Sequence, residues 1–278
     1  MSKKQRRAVV TRRQVVAQAA LSAHVDPEDL DRAAILGQMA FFLIQHPRIG
    51  QRIAFKGGAV MKLLDGSPRF SGDLDGVAVA GKPIQRKWIE EALWDNPEAK
   101  RVFLGKPRIV NKTAHAISFP IVECRAIGSG KNPITVKLSI NWSEPLVLDA
   151  VWRALPIHGL AEPVMIPTVD ARERAAEKVR ALVERADVND GYDLNQFANR
   201  GFTAGDWAEI VRIVPLKLQN STVDLTADLL AQFDAQLESV RRSWPGELRV
   251  AGGIPAWELV KAGIERFRET VPAPPTPG

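Results

Sequence analysis

The chain has 278 residues, enough for one generous core or two modest ones, with 45% hydrophobic and 25% charged residues, as in water-soluble globular proteins. Its longest apolar stretch, residues 34–44, is interrupted by Gly37 and Gln38 and is too short to span a bilayer, and no apolar run of signal-peptide type opens the chain. The single cysteine, Cys124, excludes an internal disulfide framework and fits a reducing cytoplasm, and the four histidines (24, 46, 115, 158) lack zinc-ligand spacing.

In chain order, residues 1–13 carry six lysines and arginines and no acid. Removing those six from 38 bases leaves 32, equal to the 32 acids, so the net +6 sits in one basic arm suited to a phosphate backbone or simply to solvent. Asp26-Pro27-Glu28-Asp29 is a helix start, with a capping aspartate, proline at the first turn and acids at the positive end of the dipole, and Pro47 closes that helix. Residues 52–55 read as a short buried strand and 58–64 as a helix, followed by the turn signal Asp65-Gly66-Ser67-Pro68. Residues 74–80 alternate as a strand, with Asp73, Asp75, Val77 and Val79 on one side. The stretch from Ile84 to Asn96 is helical in pattern, and residues 101–110, 116–122 and 135–142 read as strands. After about residue 166 the pattern turns helical, with further helices over 204–214, 223–243 and 255–269 and a proline-rich end expected to be disordered. The order predicts an α+β protein with domains at 1–165 (basic arm 1–13) and 166–271 and a tail at 272–278.

Chemistry concentrates in residues 55–79. A strand running into Gly57-Gly58 and a helix forms a receptor for phosphate, because glycine lets a ligand approach the backbone and the helix start offers unpaired N–H groups. The signal alone is weak, since strand-to-helix turns favour glycine in any protein, and no Gly-Lys-Ser/Thr follows to make a Walker A loop. Asp73 and Asp75, two apart on a strand, project to the same face, where two carboxylates attract a divalent cation. A lone pair of this kind is usually a solvated strand face; here the apolar Val77 and Val79 continue the same side, which favours a site. Lys178 lies at the margin of a helical apolar stripe (Ala175, Val179, Leu182, Val183, Ala186), four residues after Arg174, an arrangement that suits either an anionic ligand or a lysine reaching out to solvent.

Gly-Gly, a helix and then Arg69-x-Ser71-x-Asp73-h-Asp75 (h, hydrophobic) resemble the nucleotidyltransferase superfamily of DNA polymerase β, and most closely its AbiEii/MenT branch of type IV toxin–antitoxin toxins. "KLSINWSEP" is similar to that branch's second motif, and "AAEKVRALVERADVNDGYDL" to its third and fourth, so four motifs lie in the family's order over residues 50–197. The resemblance implies a nucleotidyltransferase-like mixed β-sheet domain with flanking helices, followed by a helical C-terminal domain. It implies transfer of a nucleotide from a nucleoside triphosphate, with Mg²⁺ or Mn²⁺ as cofactor, to the 3′ acceptor end of tRNA, blocking translation in the cytoplasm. A cognate antitoxin from a neighbouring gene would be the protein partner. Residue by residue, Gly57, Gly58, Arg69 and Ser71 would meet the triphosphate, Asp73 and Asp75 the metal, and Lys178 and Asp193 would be catalytic, Lys178 also binding nucleotide. The chain departs from the pattern at Ser139, where the second motif usually has an acid, and at Asn189, where the fourth usually has arginine. Two other readings share these residues: transfer to a protein or small-molecule hydroxyl, and a catalytically weak nucleotide- or RNA-binding protein.

Overall fold

A computed structural model describes residues 26–79, 83–105, 108–112, 116–121, 123–124, 134–144, 146–157, 160, 162–219, 229–246 and 248–270, so the basic arm and the 272–278 tail lie outside the described residues. Two compact units form. The first takes the described residues up to Val169 together with Arg249–Gly253, and the second takes those from Asp170 to Leu248 and from Ile254 onward.

The first unit opens with α1 (Pro27–Gln45), capped by the Asp26 carboxylate, which accepts from the Glu28 N–H. There follow β1 (Ile53–Lys56), α2 (Gly57–Leu64), β2 (Asp73–Ala78) and α3 (Arg86–Glu90), which widens into a π turn over Glu91–Asp95. Then come β3 (Phe103–Leu104), β4 (Asn111–Lys112), β5 (Ala116–Ile121), β6 (Glu123–Cys124), β7 (Val136–Asn141), β8 (Val151–Leu155) and β9 (Val164–Thr168). Among the described residues seven strands make one mixed sheet in the order β4-β5-β7-β2-β1-β9-β8. β2 runs antiparallel to β1 and parallel to β7, so β2 is central and its side chains are flanked on both sides.

Strand alternation divides the sheet's two faces. Ile53, Phe55, Leu74, Leu138, Ile140 and Ile166 point to one face and bury against Ile35, Leu36, Met39 and Leu43 of α1. On the other face Ala54, Val77 and Val169 make a small apolar patch with Val79, Leu146 and Ala150. The rest of that face is polar: Lys56, Asp75 and Ser139 lie in register across three strands.

Two expectations change here. Residues 101–110 do not form one strand: a 3₁₀ turn spans Ala99–Arg101, only Phe103–Leu104 pairs, and Gly105 at φ 77° leaves the extended region immediately after. The strands β8 and β9 carry no strand pattern in the sequence. β8 is a sheet edge and largely exposed, with Trp152 52% exposed, and β9 holds Pro167, so neither alternates cleanly.

The second unit consists of α4 (Ala171–Arg185), α5 (Val188–Ala198), α6 (Ala204–Leu218), α7 (Leu229–Ser243) and α8 (Trp257–Thr270). The helical pattern that begins after about residue 166 thus opens with two helices, broken at Ala186 in the left-handed conformation (φ 50°) and restarted by Asp187, whose side chain accepts from the Asn189 N–H. Ala175, Val179, Leu182, Tyr192, Phe197, Ile210, Ile213 and Val240 are among the residues that fill its core. No helix among the described residues is long and apolar enough to cross a membrane.

Candidate active site

The turn from β1 into α2 is built by what the two glycines lack. Gly57 sits at φ +74°, and a Cβ there would fall well under 3.0 Å from Asp75 Oδ2 and 3.3 Å from Asp75 Cγ. A Cβ on Gly58 would overlap Arg69 Nη2 and stand 3.1 Å from Ser71 Oγ. The first turn of α2, with its unpaired N–H groups, therefore lies directly against a carboxylate, a guanidinium and a hydroxyl. Gly57, Gly58, Arg69, Ser71 and Asp75, read from sequence as one group, meet in one place.

Each is held there locally. The Ser71 hydroxyl donates to the Asp73 carbonyl (3.1 Å) and accepts from the Asp73 N–H (3.4 Å), which fixes the approach to β2. Arg69 is buried and its Nη1 donates to the Phe70 carbonyl at 3.2 Å. Its backbone is gripped by a segment far along the chain, residues 249–251. Phe70 N–H donates to the Arg249 carbonyl (2.9 Å), Ala251 N–H to the Pro68 carbonyl (3.0 Å), and Arg69 bridges Val250 antiparallel. No local pattern in residues 249–253 announces this return.

Asp73 and Asp75 occupy the same face of β2, each partly exposed. Ser139 of β7 is the register partner of Asp75, so the position that usually carries the family's further acid is beside Asp75 and holds a hydroxyl. On the other side the register partner of Asp75 is Lys56, whose Nζ is 3.2 Å from Oε2 of the buried Glu144. The Asn141 amide approaches the same oxygen at 3.5 Å. Lys56 and Glu144 belong to the polar face of this site.

In the second unit Lys178 and Asp193 also meet. Lys178 Nζ is 2.8 Å from Asp193 Oδ2 and 2.8 Å from Asp190 Oδ1, and both aspartates are fully buried. Asp190 and Asp193 stand three apart on α5 and so share one helix face. The sequence put Lys178 four residues after Arg174, an arrangement suited to an anionic ligand or to a lysine reaching solvent. In the structure α5 brings two carboxylates to Lys178, and Arg174 lies over the Phe197 ring, 5.6 Å from its centre. Burial pushes the Asp190 carboxyl up, but the Lys178 charge and the hydrogen bond from Arg185 outweigh it and hold Asp190 below the ordinary aspartate range. A second buried cluster joins α4 and α6, with Lys217 Nζ 2.5 Å from Glu173 Oε1 and 3.4 Å from Glu177 Oε1.

Among the described residues no group of three or more His, Cys, Asp or Glu side chains is arranged to hold a metal ion. A pair of carboxylates on one strand face suits Mg²⁺, which takes one or two carboxylates and completes its shell with phosphate oxygens and water.

Among solved structures the chain is similar to the nucleotidyltransferase toxin MenT4 from Mycobacterium tuberculosis H37Rv (20% identity, TM-score 0.60, covering 93% of this chain and 89% of that one). It is also similar to JHP933 from Helicobacter pylori (15% identity, TM-score 0.55, covering 89% of this chain and 93% of that one). At these identities the likeness establishes the fold. No curated protein sequence matches the chain. The model of the family described as nucleotidyl transferase AbiEii toxin, type IV toxin–antitoxin system, matches residues 42–250, a span that takes in every site residue named above. The chain belongs to the AbiEii nucleotidyltransferase toxin family of type IV toxin–antitoxin systems.

Proposed function

We propose that this nucleotidyltransferase is a Mg²⁺-dependent toxin that moves a nucleotide from a nucleoside triphosphate onto the 3′ acceptor end of tRNA and so blocks translation in the cytoplasm. The observation that carries the reading is the packing at Gly57–Gly58, where the start of α2 abuts Asp75, Arg69 and Ser71. Backbone N–H groups and a guanidinium suit a triphosphate, and the neighbouring carboxylates suit its cation. Asp73 and Asp75 would hold Mg²⁺, which when bound neutralises phosphate charge and favours departure of pyrophosphate. Gly57, Gly58, Arg69 and Ser71 bind and orient the triphosphate, and Lys178 and Asp193 complete the catalytic set on their match to the family's later motifs. The acceptor's 3′-oxygen forms a bond to the α-phosphorus as the bond to pyrophosphate breaks, in line with it. The tRNA acceptor rests on the likeness of the motif order to the MenT branch, and a neighbouring-gene antitoxin is the protein partner expected of such a toxin.

Incubation of the purified chain with Mg²⁺, total tRNA and each of four labelled triphosphates tests this. Label is expected at the tRNA 3′ end, and Asp75→Asn is expected to lower it by about 100-fold or more, as loss of a metal ligand does. Absence of transfer beside an active control enzyme overturns the reading. Label on protein or a small molecule and none on RNA moves the acceptor to those classes, and triphosphate binding with no turnover reduces the chain to a nucleotide-binding protein.

A further inference from the structure

We propose that Arg185 is a positioning residue for Lys178, supplying from the end of α4 the guanidinium that the fourth motif lacks at Asn189; this rests on the catalytic role of Lys178 proposed above. Lys178 faces two buried carboxylates, Asp190 and Asp193, and a buried carboxylate requires counter-charge in good hydrogen-bonding geometry. Arg185 supplies it to Asp190 beside Lys178. Its Nε donates to Asp190 Oδ2 at 2.6 Å and its Nη2 to Asp190 Oδ1 at 3.1 Å, the two-pronged geometry that only a guanidinium makes with a carboxylate. Asp190 Oδ1 is thus shared between Arg185 and Lys178, 2.8 Å from the lysine. The fork fixes the plane of the Asp190 carboxylate, and that plane fixes where the Lys178 ammonium stands.

The local chain explains why the guanidinium comes from position 185. Arg185 is the last residue of α4, Ala186 turns the chain in the left-handed conformation, and Asp187 caps α5, which places Asp190 in the first turn of α5 facing back to α4. Asn189 takes another course: its side-chain amide donates to Asp187 Oδ1 at 2.9 Å. The Arg185 side chain is more than half exposed while its acceptor is fully buried, so this is not a surface pair of two solvated ends. Removing it strips one of the two cations from Asp190 and leaves the carboxylate free to turn away from Lys178.

The test uses the full chain, with the labelled triphosphate that the unaltered protein transfers best. Arg185→Met is expected to lower kcat by about tenfold or more while KM for the triphosphate stays within about twofold, since the residue acts on the transition state through Lys178. Arg185→Met with Asn189→Arg, which returns a guanidinium to the usual position, is expected to recover kcat to within about threefold. Thermal melting checks that each variant folds. If Arg185→Met does not fold, Arg185→Lys, which keeps the charge and loses the fork, takes its place: a kcat lowered by about threefold or more supports the proposal, and an unchanged one overturns it. An Arg185→Met enzyme within about twofold of the original kcat overturns it, as does a double variant that melts like the original and stays as slow as Arg185→Met. Loss of transfer in Lys178→Met with full activity in Arg185→Met sinks this inference alone, whereas an inactive unaltered chain sinks the functional reading and this inference with it.

Discussion

Replacing Gly57 by alanine asks whether the double glycine serves the turn or the site. Two costs are separable in the structure. Gly57 has φ +74°, a region that costs an L-residue about 1–2 kcal/mol, and its added Cβ would overlap Asp75 Oδ2. Gly66 supplies the control: it has φ +71° with nothing within 4 Å of an added Cβ, so Gly66→Ala carries the backbone cost alone. Urea denaturation should therefore show a loss of about 1–2 kcal/mol for Gly66→Ala, with nucleotide transfer unchanged. Gly57→Ala adds the cost of forcing apart packed atoms, about 1–3 kcal/mol, for a total of about 2–5 kcal/mol. The carboxylate that must yield belongs to Asp75, so transfer should fall by about 100-fold, equivalent to about 2.7 kcal/mol of transition-state stabilisation. The reasoning is refuted if both variants lose the same stability and both keep transfer. Gly57 would then be a turn residue and nothing more.

Further outcomes follow from the buried charges of the second unit. Lys217→Met leaves Glu173 and Glu177 buried without their shared ammonium and should cost about 3–5 kcal/mol in chemical denaturation; a loss under about 1 kcal/mol would mean that the carboxylates relax at little cost. Asp190 has its folded-state pKa lowered, so it binds its proton less readily folded than unfolded. Its contribution to stability is full above the ordinary aspartate value of about 3.9 and is lost as pH falls through the lower folded value. Urea melts at a series of acid pH values should show this decline in the original chain and a shallower one in Asp190→Asn, and parallel declines would contradict the assignment.

Much of the first unit was legible because its signals are local. The Asp26 cap, the glycines entering α2, the 65–68 turn and the two-residue alternation of β2 each report on a few neighbouring residues, and the fold obeys them. Alternation also put Asp73, Asp75 and Val77 on one face, as β2 has them. The strands β8 and β9 were illegible for the matching reason: a largely exposed edge strand and a strand with proline lack the clean alternation that burial of one whole face imposes. The Arg249–Gly253 return was illegible because nothing near residue 250 encodes a partner at residue 69.

The two departures from the family pattern have a common physical form. At each, a charge of the missing kind reaches the neighbourhood from another position. The acid absent at Ser139 leaves Asp75 with a hydroxyl on one side, while on the other stands Lys56, whose ammonium is held by the buried carboxylate of Glu144, five residues after Ser139. The arginine absent at Asn189 leaves Asp190 to be met by Arg185, four residues earlier. A motif records which residue usually stands at a position; a buried charge requires only that its counter-charge arrive with the right geometry. Helix ends and post-strand loops can deliver a side chain to the same point from several positions, so the requirement is met without the usual letter in the sequence. Charge balance within a site is therefore read from the fold, and a missing motif residue becomes evidence of decay only after the neighbouring carboxylates and guanidinia have been placed.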